Sequence, residues 1–259
     1  MVKSVLDTVE NEVSHAVGRL NIEQAVQTYH EQGEFLAVDQ FLAQPVVDRF
    51  MTEVEQVRTQ LNRNYIPTHK KGGSVSYFIL GQAAPAILSF YRAPDFINWL
   101  SRIAGAPLLL CPDSDPHACA LYFYTEPGDH IGWHYDTSYY KGTRYTALLG
   151  LRDRSTSRLL CRLHTKDHSR ETKELTLSTD PGSLVFFNGD KLQHAVTPLR
   201  EGEERIVLTL QYVTDPRMGA FQRWFSNMKD AVGYFGLPAL FRHLSPKATE
   251  NSRRGQPVS

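Results

Sequence analysis

The chain has 259 residues, 28 basic and 28 acidic side chains, and a pI near 7.2. At about 150 residues per domain this is one large domain or one with an elaboration, and 41% hydrophobic residues excludes disordered, collagenous and coiled-coil classes. The balanced charge leaves no field to gather nucleic acid, and no apolar run reaches the roughly 18 residues of a membrane span.

Asp7, Glu10 and Glu12 interrupt the start where a signal peptide needs an apolar stretch, so the expected location is the cytoplasm. Cys111, Cys119 and Cys161 are odd in number and lack CxxC spacing. They read as small buried residues of a reducing compartment, not as a disulfide framework or zinc knuckle.

In chain order, Val5, Val9, Val13, Val17 and Leu20 recur at helical spacing, and Ile22 to Gln32 continues as a second helix before Gly33. Glu34 to Val38 reads as a short strand. Val46 to Leu61 carries an apolar helix face, and Pro85 to Tyr91 and Pro94 to Ile103 are two helices opened by proline. Lys70-Lys71-Gly72-Gly73-Ser74 lacks the spacing of a phosphate loop and follows no clear strand, so it reads as a mobile loop.

From about residue 117 the period changes to two. Ala118 to Tyr124, His130 to Asp136, Tyr145 to Leu151, Arg158 to His164, Glu174 to Leu177, Ser183 to Asn188, His194 to Pro198 and Arg205 to Val213 are short and turn-separated. Eight such strands without interleaved helices predict an antiparallel, cupin-like jelly roll, the double-stranded β-helix, buttressed by helices on one outer face. The expected organisation is a single domain over 1–244, with a helical part at 1–110, a jelly-roll core at 117–213 and helices at 217–244. A polar, loose tail follows at 245–259.

Chemistry concentrates in His134-Tyr135-Asp136, then His194 after 57 further residues, then Arg205 after another 10. On a strand, His134 and Asp136 project from one face while Tyr135 points away. Two imidazoles and a carboxylate leave octahedral positions open, the arrangement of non-haem Fe(II) oxygenases. Composition alone predicts about one His-x-Asp/Glu by chance, so the ordered set and its strand context must carry the reading. Alternation along the last strand puts Arg205, Val207 and Thr209 on one face and Ile206, Leu208, Leu210 and Tyr212 on the other. An arginine turned inward is costly unless an anion meets it; the bland alternative is an ion pair with Glu203 or Glu204.

These residues resemble the Fe(II)- and 2-oxoglutarate-dependent dioxygenases, especially the prolyl-hydroxylase-like group. Tyr124 to His130 leading into Trp133-His134-Tyr135-Asp136 is similar to that group's tyrosine, glycine turn and HxD strand. Pro181 to Asn188, His194 to Pro198, Gly202 and Arg205 resemble its second half, and Glu34 to Leu42 its opening strand. The resemblance implies that His134, Asp136 and His194 bind Fe(II) and that Arg205 holds the distal carboxylate of 2-oxoglutarate. Tyr124 would hydrogen-bond the co-substrate, with Thr146 or Thr209 as a second contact. It implies oxidative decarboxylation of 2-oxoglutarate by O2, coupled to oxidation of an unactivated C–H bond. Some relatives halogenate, and in those the carboxylate position is a small residue; the carboxylate of Asp136 therefore implies hydroxylation. Tyr139-Tyr140-Lys141-Gly142 resembles enzymes of this type that act on free amino acids such as lysine.

The expected substrate is thus a small polar molecule of the amino-acid kind, with oligomeric state left open. Candidate substrate residues are His130 at the site mouth, Tyr139, Tyr140, and Arg144 facing an acidic group. Arg152, Arg154 and Arg158, like Arg144, otherwise read as solvated strand-end charges, His117, His164 and His168 as surface or supporting residues, and Trp133 and Tyr135 as core. Two other classes fit the same residues: a cupin-like metal-dependent isomerase or hydrolase without 2-oxoglutarate, and a non-catalytic jelly-roll binding protein.

Overall fold

The computed structural model describes residues 2–218. Helices α1 (Val2–Gly18), α2 (Ile22–Glu31), α3 (Gln44–Val57), α4 (Tyr77–Ala83), α5 (Pro85–Arg92) and α6 (Pro94–Ala104) all fall before residue 105. Local chemistry sets their ends. The Asn21 side chain accepts from the Gln24 amide to start α2, prolines stand in the first turns of α3, α5 and α6, and Gly105 closes α6 in the left-handed region at φ +69°.

Twelve strands accompany the helices: β1 (Phe35–Val38), β2 (Asn62–Ile66), β3 (Lys70–Val75), β4 (Leu109–Leu110), β5 (Cys119–Tyr124), β6 (His130–His134), β7 (Arg144–Arg154), β8 (Leu159–Leu163), β9 (Lys173–Leu177), β10 (Leu184–Asn188), β11 (Gln193–Val196) and β12 (Glu204–Val213). They follow the order β1-β10-β7-β12-β5-β3-β6-β11-β8-β9, with β2 on β3 and β4 on β12. Every pairing is antiparallel. The sheet curls into a double-stranded β-helix, as expected. The wall β10-β7-β12-β5 faces the wall β6-β11-β8, and β3 joins them.

Period-two alternation then divides the apolar residues between two cores. On β12, Ile206, Leu208, Leu210 and Tyr212 point outward into a cluster with Val47, Phe50 and Val54 of α3, Phe90 of α5 and Phe96 of α6. On the opposite face Val207 joins Tyr124, Leu148, Leu159, Val185 and Val196 between the walls. Each fully buried side chain of this size contributes about 1.5–3 kcal/mol of transfer free energy, so the helices hold the outer face firmly while the inner face is left to line a site. The buried Glu53 on α3 accepts from the amides of Ala86 and Ile87 at 2.8 and 2.9 Å, capping α5 from outside.

Several expectations need correction. Residues 70–74, read as a mobile loop, form β3, which pairs with β2, β5 and β6. The glycines there permit close approach: a Cβ at Gly73 would lie 2.5 Å from the Leu61 side chain. The same strand buries Lys70, whose ammonium sits 4.9 Å from the Tyr122 ring centroid. The helix expected over 46–61 stops at Val57, and Arg58–Gln60 is a tight 3-10 turn. Trp133 and Tyr135 are half-buried, not core: the Arg162 guanidinium covers Trp133 at 4.0 Å and Lys166 covers Tyr135 at 4.3 Å. The three cysteines are free and buried, as predicted. No helix among the described residues is long and apolar enough to cross a membrane. The helices expected over 217–244 and the tail over 245–259 lie, apart from residues 217 and 218, outside the described residues.

Candidate active site

Strand register brings the triad together. β6 and β11 pair with His134 opposite His194, so two imidazoles distant in the chain become neighbours, with ring centroids 4.1 Å apart. β6 ends at His134, yet the chain continues so that Asp136 Oδ1 lies 3.5 Å from His134 Nε2 and 3.9 Å from His194 Nε2. One ligand atom from each residue lies within 4.8 Å of the other two. The neighbouring Gly189 is required here, since a Cβ on it would meet the Asp136 carbonyl oxygen at 2.5 Å and the Asp136 Cβ at 2.9 Å.

The ring nitrogens are already assigned by their partners. Nδ1 of His134 lies 2.9 Å from the Gly132 carbonyl and Nδ1 of His194 lies 3.5 Å from that of Leu192, so Nδ1 carries the proton and Nε2 is left as the electron-pair donor. Burial lowers the His194 pKa to about 4, which keeps it neutral near pH 7. Burial alone would raise Asp136, but His194, His134 and the Thr146 hydroxyl hold it far below the usual carboxylate range. Two imidazole Nε2 atoms and a carboxylate are the donor set that suits a ferrous ion with open positions. Side chains of His134 and Asp136 stay 18% and 20% exposed toward the cavity, against 7% for His194.

Arg205 lies across from Tyr124 in the β12–β5 register, is 1% exposed, and stands with its guanidinium carbon 5.4 Å from the Tyr124 ring centroid. Its Nε donates to Thr179 Oγ1 at 2.7 Å, while Nη1 is buried with no hydrogen-bond partner among the described residues. Burial, the largest influence, lowers its pKa. The alternative ion pair is not formed: Glu204 binds Arg58 and Arg152, each at 2.8 Å. A buried cation with an idle donor is what a diacid's distal carboxylate would complete, so the residues fit 2-oxoglutarate as well as iron.

One cavity of about 1020 Å³, open solvent at its mouth included, is lined by His134, Asp136, His194, Tyr124 and Arg205 together. Arg205, Val207, Thr209 and Gln211 line it in succession along β12, with Tyr124, Tyr139 and Arg144 also on its wall. The remaining predicted residues fall elsewhere. Thr146 stands behind the triad, its hydroxyl 2.7 Å from Asp136 Oδ2 and 3.0 Å from Gln211 Oε1. His130 turns Nδ1 to the Gly128 carbonyl at 2.8 Å and does not line the cavity. Tyr140 is buried outside it, donating to Asp115 Oδ2 at 2.5 Å. Arg144 is no solvated strand-end charge: it is 7% exposed, and Tyr135, expected to point away, borders the cavity.

Sequence reasoning missed His69, Asp115, Tyr122 and Gln211, and placed His117 among surface or supporting residues; all five line the cavity. Gln211 was available by carrying the β12 alternation one step past Thr209. His69 was hidden because it sits in the turn between β2 and β3, a hairpin whose second strand looks like a loop, and Asp115 sits in an aperiodic turn before β5.

The comparisons agree with this geometry. The model of the 2OG-Fe(II) oxygenase superfamily matches residues 119–212, and that of Halogenase D matches residues 17–141. No curated protein sequence matches the chain. Among solved structures, the non-heme alpha ketoglutarate dependent epimerase SnoN from nogalamycin biosynthesis is similar at a TM-score of 0.64 and 15% identity, over 92% of this chain and 95% of that one. The carbocyclase SnoK from the same biosynthesis gives 0.64 and 16% over 81% and 92%. A Pseudomonas putida prolyl-4-hydroxylase gives 0.56 and 19% over 75% and 99%. The converging His134, Asp136 and His194 and the inward Arg205 all lie within residues 119–212, the segment that matches the 2OG-Fe(II) oxygenase superfamily.

Proposed function

We propose that this oxygenase hydroxylates an unactivated C–H bond of a small polar substrate, a free amino acid being the class its cavity suits. The observation that carries the reading is the triad with its carboxylate in place, facing the same cavity as the idle donor of Arg205. Asp136 bears on the choice of reaction. The Halogenase D match raises halogenation, but halogenating relatives free the carboxylate position for the halide, and this chain fills it.

Mechanistically, His134, Asp136 and His194 would hold Fe(II), which when bound with 2-oxoglutarate and O2 would supply the oxidising power for attack on carbon. The chain supplies position and insulation. Arg205 anchors the co-substrate's distal carboxylate, with Tyr124 stacked beneath the guanidinium and its hydroxyl, raised to about pKa 12 by burial, kept as a neutral donor. Thr146 fixes the Asp136 carboxylate from behind. Leu148, Leu159, Val196 and Val207 make the co-substrate end of the cavity apolar, which excludes water and strengthens the charge pairing there.

Protein reconstituted with Fe(II) releases succinate from 2-oxoglutarate in air, and the matching amino acid accelerates this and gains one oxygen atom by mass spectrometry. His134→Ala or Asp136→Ala abolishes both; succinate release unchanged in either variant, or indifferent to 2-oxoglutarate supply, refutes the mechanism.

A further inference from the structure

Along β12, Arg205 and Gln211 stand six residues apart, about 20 Å at ~3.3 Å per residue, and both line the cavity. A five-carbon diacid anchored on Arg205 fills less than half of that length at ~1.5 Å per bond. The far end therefore remains for the second molecule, and its wall carries Gln211, Arg144 and Asp115.

The guanidinium at this end is held like a tool. Arg144 Nε donates to Gln211 Oε1 at 3.0 Å and Nη2 lies 3.3 Å from Asp115 Oδ2. Asp115 is itself fixed, accepting from the Tyr140 hydroxyl at 2.5 Å and from the His117 amide at 2.8 Å. Through Gln211 the array reaches Thr146 and so Asp136. Arg144 Nη1 forms no hydrogen bond among the described residues, although the side chain is 8% exposed and borders the cavity. Two of its three nitrogens are thus spent on orientation, and the side chain borders the space left for the substrate.

Resting on the oxygenase reading above, we infer that Arg144 is the substrate anchor and that the substrate carries a carboxylate, received by the free Nη1 edge, with Asp115, Tyr140 and Gln211 as positioning residues. A carboxylate suits the edge better than a dianionic phosphate, because Asp115 and Asp136 already stand nearby and each added negative charge works against them. Asp115 also makes a counter-charge available to an ammonium group on the same molecule.

The test separates binding from turnover by using protein loaded with Mn(II) and 2-oxoglutarate without O2, with melting temperature and titration calorimetry as readouts. The probes are the protein amino acids and their 2-hydroxy acid counterparts, each beside its own carboxamide, plus propyl phosphate. At least one carboxylate stabilises the complex, its carboxamide binds at least about tenfold more weakly, and propyl phosphate does not compete. Arg144→Gln lowers affinity for that carboxylate by at least about tenfold, the loss of one charge-assisted hydrogen bond, and Arg144→Lys recovers part of it. The carboxylate-against-carboxamide comparison uses the unaltered protein, so it stands even where Arg144→Gln folds poorly. No stabilising carboxylate, an equal carboxamide, a tighter phosphate, or unchanged affinity in a folded Arg144→Gln would each overturn the assignment. Failure of succinate release with Fe(II) is a separate result and bears on the oxygenase reading alone.

Discussion

Two buried guanidinium groups stand at opposite ends of one cavity and are treated in opposite ways. Arg205 has a single neutral partner, Thr179, an aromatic ring beneath it, a pKa lowered by burial and a buried nitrogen with nothing to bind. Arg144 is also buried, but Asp115 and its neighbours more than offset the desolvation and raise its pKa. One end is therefore a charge left uncompensated until a ligand arrives, and the other a charge compensated in advance and aimed. The lesson is that affinity for a fixed co-substrate and orientation of a variable substrate call for different electrostatics.

The largest effect that could break this contrast is at Arg205. Arg205→Ala should weaken 2-oxoglutarate binding roughly thousandfold, about 4 kcal/mol for two charge-assisted hydrogen bonds. The ligand-free protein should not lose stability in proportion, because the removed charge was unpaired. Calorimetric titration of 2-oxoglutarate beside melting of the ligand-free variant reads both quantities. An unaltered affinity would return Arg205 to a structural role, and a melting loss as large as the binding loss would erase its difference from Arg144.

Asp115→Asn tests the other end, since it converts Arg144 into an uncompensated cation like Arg205. Breaking a buried pair costs about 3 kcal/mol, which for a chain of this size lowers Tm by roughly 6–12 °C. An unchanged melting temperature would show that Asp115 does not compensate Arg144.

Both ends differed in how far they could be read from the sequence, and the reason is physical. Arg205 was legible because it stands second in a ten-residue strand whose alternation turns it inward, and His134 and His194 because each falls in a segment that reads as a strand. Arg144 was not, because one arginine among Arg152, Arg154 and Arg158 looks like a solvated strand end, and its burial depends on the tertiary approach of Asp115 and Gln211. Lys70 misled for the same reason, its burial depending on a tyrosine 52 residues away. Local pattern reports which face a residue takes; it does not report what waits on that face from another part of the chain.

The smallest predicted effect lies where the two ends meet. Thr146 joins them, its hydroxyl between Asp136 Oδ2 and Gln211 Oε1, and it pairs directly with Gln211 in the β7–β12 register. Thr146→Val keeps the volume and removes the hydroxyl, so the carboxylate loses one orienting bond while His134 and His194 keep theirs. Loss of such a supporting partner weakens metal binding by about tenfold, near 1.4 kcal/mol, measurable by titrating Mn(II) into the ligand-free protein. The affinity of the variant's metal complex for 2-oxoglutarate should stay nearly constant, because Arg205 is anchored by Thr179 at the far end. If instead metal affinity holds and 2-oxoglutarate binding falls, Thr146 serves the co-substrate directly, and the division of the cavity into a substrate half and a co-substrate half is drawn in the wrong place.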